Sequence, residues 1–158
     1  MKFLPPKAYQ LAASRAFRAL SRQIKARLPD ARIAHIGSSS IKGLWSKGDL
    51  DIYVGVPRTR FDAAIKTLKK LGFIEKRGTL RNRSLWPFIG TGYPVDVGIQ
   101  LVATGSKFEF FLTFRKLLRK SPKLKTEYNH LKLASRHLSE TAYRRKKSRF
   151  ITSVLFQK

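Results

Sequence analysis

The chain has no cysteine, a single methionine and only nine acidic residues among 158. The lack of cysteine excludes disulfides and thiolate metal sites, and a reducing compartment, the cytoplasm, is the expected location. No run of 18 or more apolar residues is present, so no transmembrane helix and no membrane anchorage are expected. The first six residues carry one lysine and no long apolar stretch, unlike a secretory signal. Internal repeats, low-complexity segments and linkers are missing too. The length is that of one domain, expected to span 1–158.

The shortage of acids has the largest consequence. Lysine and arginine total 34, giving a formal net charge of +25. Such an excess repels itself in the folded state and favours polyanionic partners, nucleic acid before an anionic membrane surface. A hydrophobic content of 42%, with 11 Phe and 2 Trp, supplies a core and excludes a disordered basic tail.

Periodicity divides the chain into a helix, a sheet and a helical tail. Leu11, Ala12, Ala16, Leu20 and Ile24 recur at helical spacing, predicting an amphipathic helix over 7–28 after Pro5-Pro6. Residues 32–36 and 50–56 (LDIYVGV) read as strands. A helix is predicted over 58–71, closed by Gly72 at the position usual for a left-handed cap. Further strands are predicted over 73–76, 84–89 and 95–102, separated by glycine-containing turns. Ser106 and Glu109 have capping-box spacing before a helix to about residue 119. Ser121-Pro122 opens a second helix to about 137, and a third starts at Ser139. The expected fold is α+β: a mixed-sheet core with its N-terminal helix over 1–104, then a helical part over 105–158.

The chemistry concentrates in HIGSSSIKGLWSKGDLDIYV. A strand delivers Gly37 and Ser38, and after a spacer Asp49 and Asp51 flank Leu50. Residues i and i+2 of a strand share a face, so both carboxylates point one way. Two like charges this close repel unless a cation sits between them, and magnesium prefers such hard oxygen ligands. Asp96, between Val95 and Val97, is expected on a neighbouring strand as a third carboxylate, completing a two-metal site. Three of the nine acids falling at these positions in so basic a chain argues against a role in solubility. At Gly37 a backbone without Cβ can approach a phosphate, which the following N–H groups and the Ser38 hydroxyl can bind.

A Gly-Ser turn, a spacer of about ten residues, an Asp-x-Asp strand and a later acid between apolar residues resemble the DNA polymerase β nucleotidyltransferase superfamily. That resemblance implies nucleotidyl transfer with two magnesium ions (manganese as a substitute). It gives metal-ligand roles to Asp49, Asp51 and Asp96, and nucleotide binding to Gly37 and Ser38. A narrower similarity covers nearly the whole chain. HIGSSSIKGLWSK looks like the opening motif of GrpB-family proteins, and FLTFRKLLRKSPKLKTEYNHLK like their C-terminal helical signature, continued by Tyr143, Lys147 and Phe150. It implies the same nucleotidyltransferase-like fold.

The expected activity is magnesium-dependent transfer of a nucleoside monophosphate from an NTP to an acceptor hydroxyl, with RNA preferred and a tRNA 3′ end as the specific choice. Lys47, Arg115 and Arg119 are further nucleotide-binding candidates, and Arg81, Arg83, Lys132, Arg144 and Arg145 are candidates for nucleic-acid contact. Arg115 and Arg119, like Tyr128 and Lys132, are four apart on one helical face. His35 is expected to be packed or hydrogen-bonded rather than catalytic. Rival readings are nucleotidyl transfer to a protein or small molecule, and a non-catalytic, GrpB-like nucleic-acid-binding module.

Overall fold

A computed structural model of the chain describes residues 1–157. Helix α1 (Pro6–Arg27) leads into strand β1 (Arg32–Ile36), a 3₁₀ turn over Ser38–Ser40, and β2 (Leu50–Val56). Helix α2 (Phe61–Lys70), β3 (Ile74–Glu75), β4 (Leu85–Gly90) and β5 (Val97–Ala103) follow. Three helices close the chain: α3 (Phe110–Lys120), α4 (Pro122–Ala134) and α5 (Glu140–Leu155). The five strands form one sheet in the order β1-β2-β5-β4-β3. β2 and β5 are parallel, and the other pairs antiparallel. The expected α+β architecture is thus what forms.

Local signals account for the element ends. Pro6 occupies the first turn of α1, where its missing N–H costs no hydrogen bond. Gly72 ends α2 with φ 96°, a value glycine adopts without Cβ strain. Ser121 accepts from the Leu124 N–H at 3.2 Å, and Ser139 from the Ala142 N–H at 3.1 Å, so both expected N-caps form. The expected capping box does not. The Ser106 side chain caps nothing, and its hydroxyl is buried without a partner. The chain instead enters α3 through a 3₁₀ turn over Lys107–Glu109, with Phe108 buried. Burial of that ring fixes the entry where a serine cap was expected.

Alternation along β2 and β5 sorts the core. Leu50, Ile52, Val54 and Val56, with Val97, Ile99 and Leu101, pack with Tyr9, Ala13, Leu20 and Ile24 of α1 and with α2. The opposite face carries Ala34, Ile36, Tyr53 and Val102, covered by Phe108 and the start of α3. A third cluster, Ile41, Leu44, Leu118 and Tyr128, ties the loop after β1 to α3 and α4. No helix among the described residues is long and apolar enough to cross a membrane.

The strand expected over 95–102 starts at Val97 instead, which leaves Asp96 just before β5. Its backbone still joins the ladder, since the Asp96 carbonyl accepts the Leu50 N–H at 2.8 Å. Its side chain, however, is exposed.

Candidate functional site

β1 delivers Gly37 to the sheet edge with φ 72° and ψ −176°, a region that is essentially glycine-only. A Cβ on Gly37 would overlap Asp51 Oδ2 and lie 3.0 Å from the Asp51 Cβ, so the absent side chain lets the turn press on the carboxylate. The 3₁₀ turn over Ser38–Ser40 is braced on all sides. His35 Nε2 and Ser39 Oγ are 2.8 Å apart, and the His35 ring stacks on Phe17 at 4.9 Å. Arg119 donates to the Ser40 carbonyl at 2.8 Å, and Arg115 to the His35 carbonyl at 2.8 Å. Burial first, then Arg119 and Arg115, hold His35 down to about 4, so it is neutral near pH 7 and acts as a packing and hydrogen-bonding group, as expected.

The loop from Ile41 to Asp49 is equally fixed. Leu4 and Ser46 exchange backbone hydrogen bonds at 2.6 and 3.1 Å, and Tyr9 donates to the Leu44 carbonyl at 2.7 Å. Asn129 of α4 accepts from the Trp45 N–H at 2.9 Å and donates to the Gly43 carbonyl at 2.9 Å. Lys47 reaches Glu140 at the start of α5, at 3.1 Å. Trp45 serves the site through its backbone.

These elements enclose a partly open cavity of about 200 Å³ whose wall includes Gly37, Ser38, Lys47, Asp49 and Asp51. α3, α4 and α5 add Arg115, Tyr128, Lys132, Tyr143 and Lys147, and aromatic rings of Phe3, Phe110 and Phe114 complete the apolar side. Gly37, Ser38, Lys47, Asp49, Asp51 and Arg115 are therefore brought together as expected.

Four expectations need correction. Asp96 is outside the cavity wall, and no group of three or more His, Asp or Glu able to hold a metal ion gathers among the described residues. The reason is register. Asp51 stands opposite Gly98, and Gly98 and Gln100 are the β5 positions that follow on its face. A Cβ on Gly98 would lie 3.1 Å from Asp51 Oδ1. Lys132, assigned to a nucleic-acid surface, is instead 1% exposed in the cavity wall. Arg119 binds the turn from outside the cavity. Arg81 and Arg83 lie beside the start of β4, at the opposite end of the sheet from Asp49 and roughly 20 Å away at ~3.3 Å per residue. Arg81 there pairs with Glu75 at 3.0 Å and covers the Trp86 ring at 4.8 Å.

Sequence patterning missed Gln100, Phe3 and the buried setting of Lys132. Gln100 is legible afterwards as the residue two beyond Gly98 on one strand face. Phe3 lies before any periodic segment and gave no signal. Lys132 shares a helical face with Tyr128, and that face proves to be the inner one.

Electrostatics set the cavity apart from the rest of this basic protein. Burial raises the Asp51 carboxyl to about 6, against a pull downward from Lys147 and a push upward from Asp49, and no hydrogen bond relieves it. Lys132 donates to Ser38 Oγ and, at 2.6 Å, to the Trp45 carbonyl, with its ammonium 4.0 Å from the Tyr128 ring centre. Burial pushes Lys132 well below the usual lysine range, and Lys147 adds to that. An entering phosphate would favour its charged form again. Burial likewise raises the Tyr128 and Tyr143 phenols, which stay protonated as hydrogen-bond donors.

Asp51 has a measurable thermodynamic signature. Its folded value of about 6 lies above the ordinary 3.8, so between these pH values the folded state binds more protons than the unfolded state, and stability falls as pH rises. Asp51→Asn removes that penalty. In the absence of divalent ions the variant is expected to melt above wild type at pH 8, by about 3 kcal/mol. The difference should vanish near pH 4, and thermal melts at the two pH values check it.

A divalent cation fits this setting in part. Asp49 and Asp51 face one cavity from one strand, and Asp51 has no other counter-charge bonded to it. A magnesium ion keeps several waters or phosphate oxygens and needs only one or two carboxylates. The set therefore fits an ion completed by phosphate and water.

The model of the GrpB protein family matches residues 7–157. This chain belongs to the GrpB family. A UPF0157 protein of Vibrio cholerae serotype O1 is 47% identical over 157 residues, 99% of this chain and 83% of that protein. The crystal structure of GrpB from Enterococcus faecalis superposes with a TM-score of 0.75 at 22% identity, covering 97% of this chain and 94% of that one. The Cid1 poly(U) polymerase bound to MgGTP superposes with a TM-score of 0.57 at 21% identity, over 80% of this chain and 42% of that one. The GrpB fold here is thus the polymerase β-like nucleotidyltransferase fold.

Proposed function

We propose that this GrpB-family chain is a magnesium-dependent nucleotidyltransferase that moves a nucleoside monophosphate from an NTP to the terminal hydroxyl of an RNA, a tRNA 3′ end being the specific candidate. One observation carries the reading: Asp49 and Asp51 share a cavity with the Gly37-Ser38 turn, whose glycine touches the Asp51 carboxylate. Asp49 and Asp51 would hold the cation, which supplies Lewis-acid charge to the triphosphate oxygens. Ser38, Lys132 and Lys147 would bind phosphate oxygens, and the aromatic wall would exclude water from the ribose and base. The acceptor oxygen forms a bond to the α-phosphorus while the bond to pyrophosphate breaks. The hydroxyl proton passes to solvent, and pyrophosphate leaves.

Support for a polynucleotide acceptor comes from α5. Arg144, Arg145 and Arg149 border a shallow surface groove on the helix that also carries Lys147 into the cavity. A strand lying on these arginines ends within reach of the site, and counterion release would drive its binding. Cid1, which shares this fold, has RNA terminal uridylyl transferase activity, the same reaction class. Nucleotide binding without transfer is the second reading, favoured by the exposed position of Asp96.

The deciding measurement is incubation with each α-labelled NTP, magnesium or manganese, and total RNA or total protein. Label is expected in RNA. Titration calorimetry with a non-hydrolysable NTP should show binding that Ser38→Ala weakens roughly ten- to a hundredfold, one charge-assisted hydrogen bond. No binding at millimolar NTP would remove the proposal, whereas binding without label transfer favours the second reading.

A further inference from the structure

We infer that the cavity accepts one divalent cation with its nucleotide rather than two, and that Lys132 and Lys147 carry the neutralising charge a second cation would bring. The inference rests on the nucleotide-binding reading above. Two ions about 4 Å apart repel strongly, on the order of 16 kcal/mol at an effective dielectric of 20, so a pair persists only where several anions converge. On β5 the residue opposite Asp51 is Gly98, and the next on that face is Gln100 in the cavity wall. Neither is anionic. Asp96 lies one step further out, exposed and outside the cavity.

The cations of the cavity point the same way. Lys132 is held by the Ser38 hydroxyl, the Trp45 carbonyl and the Tyr128 ring, which together form a built seat for a positive charge. Lys147 stands near enough to Asp51 to be the leading charge acting on it. Arg115 lines the same wall. A second dication would have to enter beside these groups with no carboxylate of its own. Phosphate oxygens, by contrast, meet both the Asp-bound cation and the two lysines.

The test uses the full chain, manganese and a non-hydrolysable NTP analogue in equilibrium dialysis, with bound manganese counted by electron paramagnetic resonance and bound nucleotide by absorbance. One manganese per bound nucleotide is expected. Because an NTP carries an ion of its own, Asp49→Asn is expected to weaken the manganese-dependent nucleotide affinity at least tenfold, and Asp96→Asn to leave it within twofold. Lys147→Met should weaken nucleotide affinity about tenfold at fixed manganese. A ratio of two, or a tenfold loss in Asp96→Asn, overturns the one-cation inference and leaves nucleotide binding standing. An unchanged affinity in Lys147→Met overturns the role given to the lysine. A chain that binds no nucleotide overturns this inference and the proposed function together.

Discussion

Alanine at Asp49 or at Asp51 is expected to reduce nucleotidyl transfer by about three orders of magnitude or more, the scale of losing a preorganised charge that stabilises a transferring phosphoryl group. Both side chains line one cavity from adjacent positions of one strand face, and nothing else anionic lies on the wall beside them. Neither variant should unfold. The Asp51 carboxyl is disfavoured by burial, so its removal relieves the folded state in the absence of metal. Asp96→Ala is expected to retain activity within a few-fold, because its side chain is exposed outside the cavity. Turnover of labelled NTP by the three variants, each checked by circular dichroism, measures this. An inactive, folded Asp96→Ala would restore a third ligand and count against the reading of the site.

Valine at Gly37 is expected to abolish nucleotide binding and to destabilise the chain by about 3 kcal/mol or more. Two costs combine. The φ of 72° with ψ near 180° excludes a β-branched side chain, and a Cβ there would collide with Asp51 Oδ2. The turn must then withdraw from the carboxylate, which separates the phosphate-binding N–H groups from the cation ligands. Denaturant titration gives the stability, and calorimetry with the NTP analogue gives the binding. Normal affinity in a Gly37→Val chain would show that the turn does not hold phosphate.

Much of the fold is written locally. Helix α1 follows from its 3.6-residue apolar spacing after two prolines, β2 from an apolar run with acids at one end, and the starts of α4 and α5 from Ser121-Pro122 and Ser139. These signals act over a few residues, so a linear reading reaches them. The pairing of Gly37-Ser38 with Asp49 and Asp51 is nearly as local, because β1 and β2 are adjacent and antiparallel, bringing Ile36 opposite Asp51.

What lies between distant segments was not readable. Spacing places Asp96 near the start of a strand but cannot say whether residue 96 or 98 faces Asp51. A shift of two residues leaves the face unchanged and moves the side chain by about 7 Å along the strand. Only the parallel register of β2 and β5 decides that Gly98 is the residue opposite. Lys132 illustrates the same limit. Composition marks it as one more surface lysine, while the packing of α4 against the loop from Ile41 to Asp49 buries it on Ser38 and Trp45. The sequence by itself determined the α+β class, the family and the Asp49-Asp51 pair, because each rests on patterns within about twenty residues. The tertiary structure decided which cations line the cavity and how many carboxylates reach it, because those depend on contacts spanning the length of the chain.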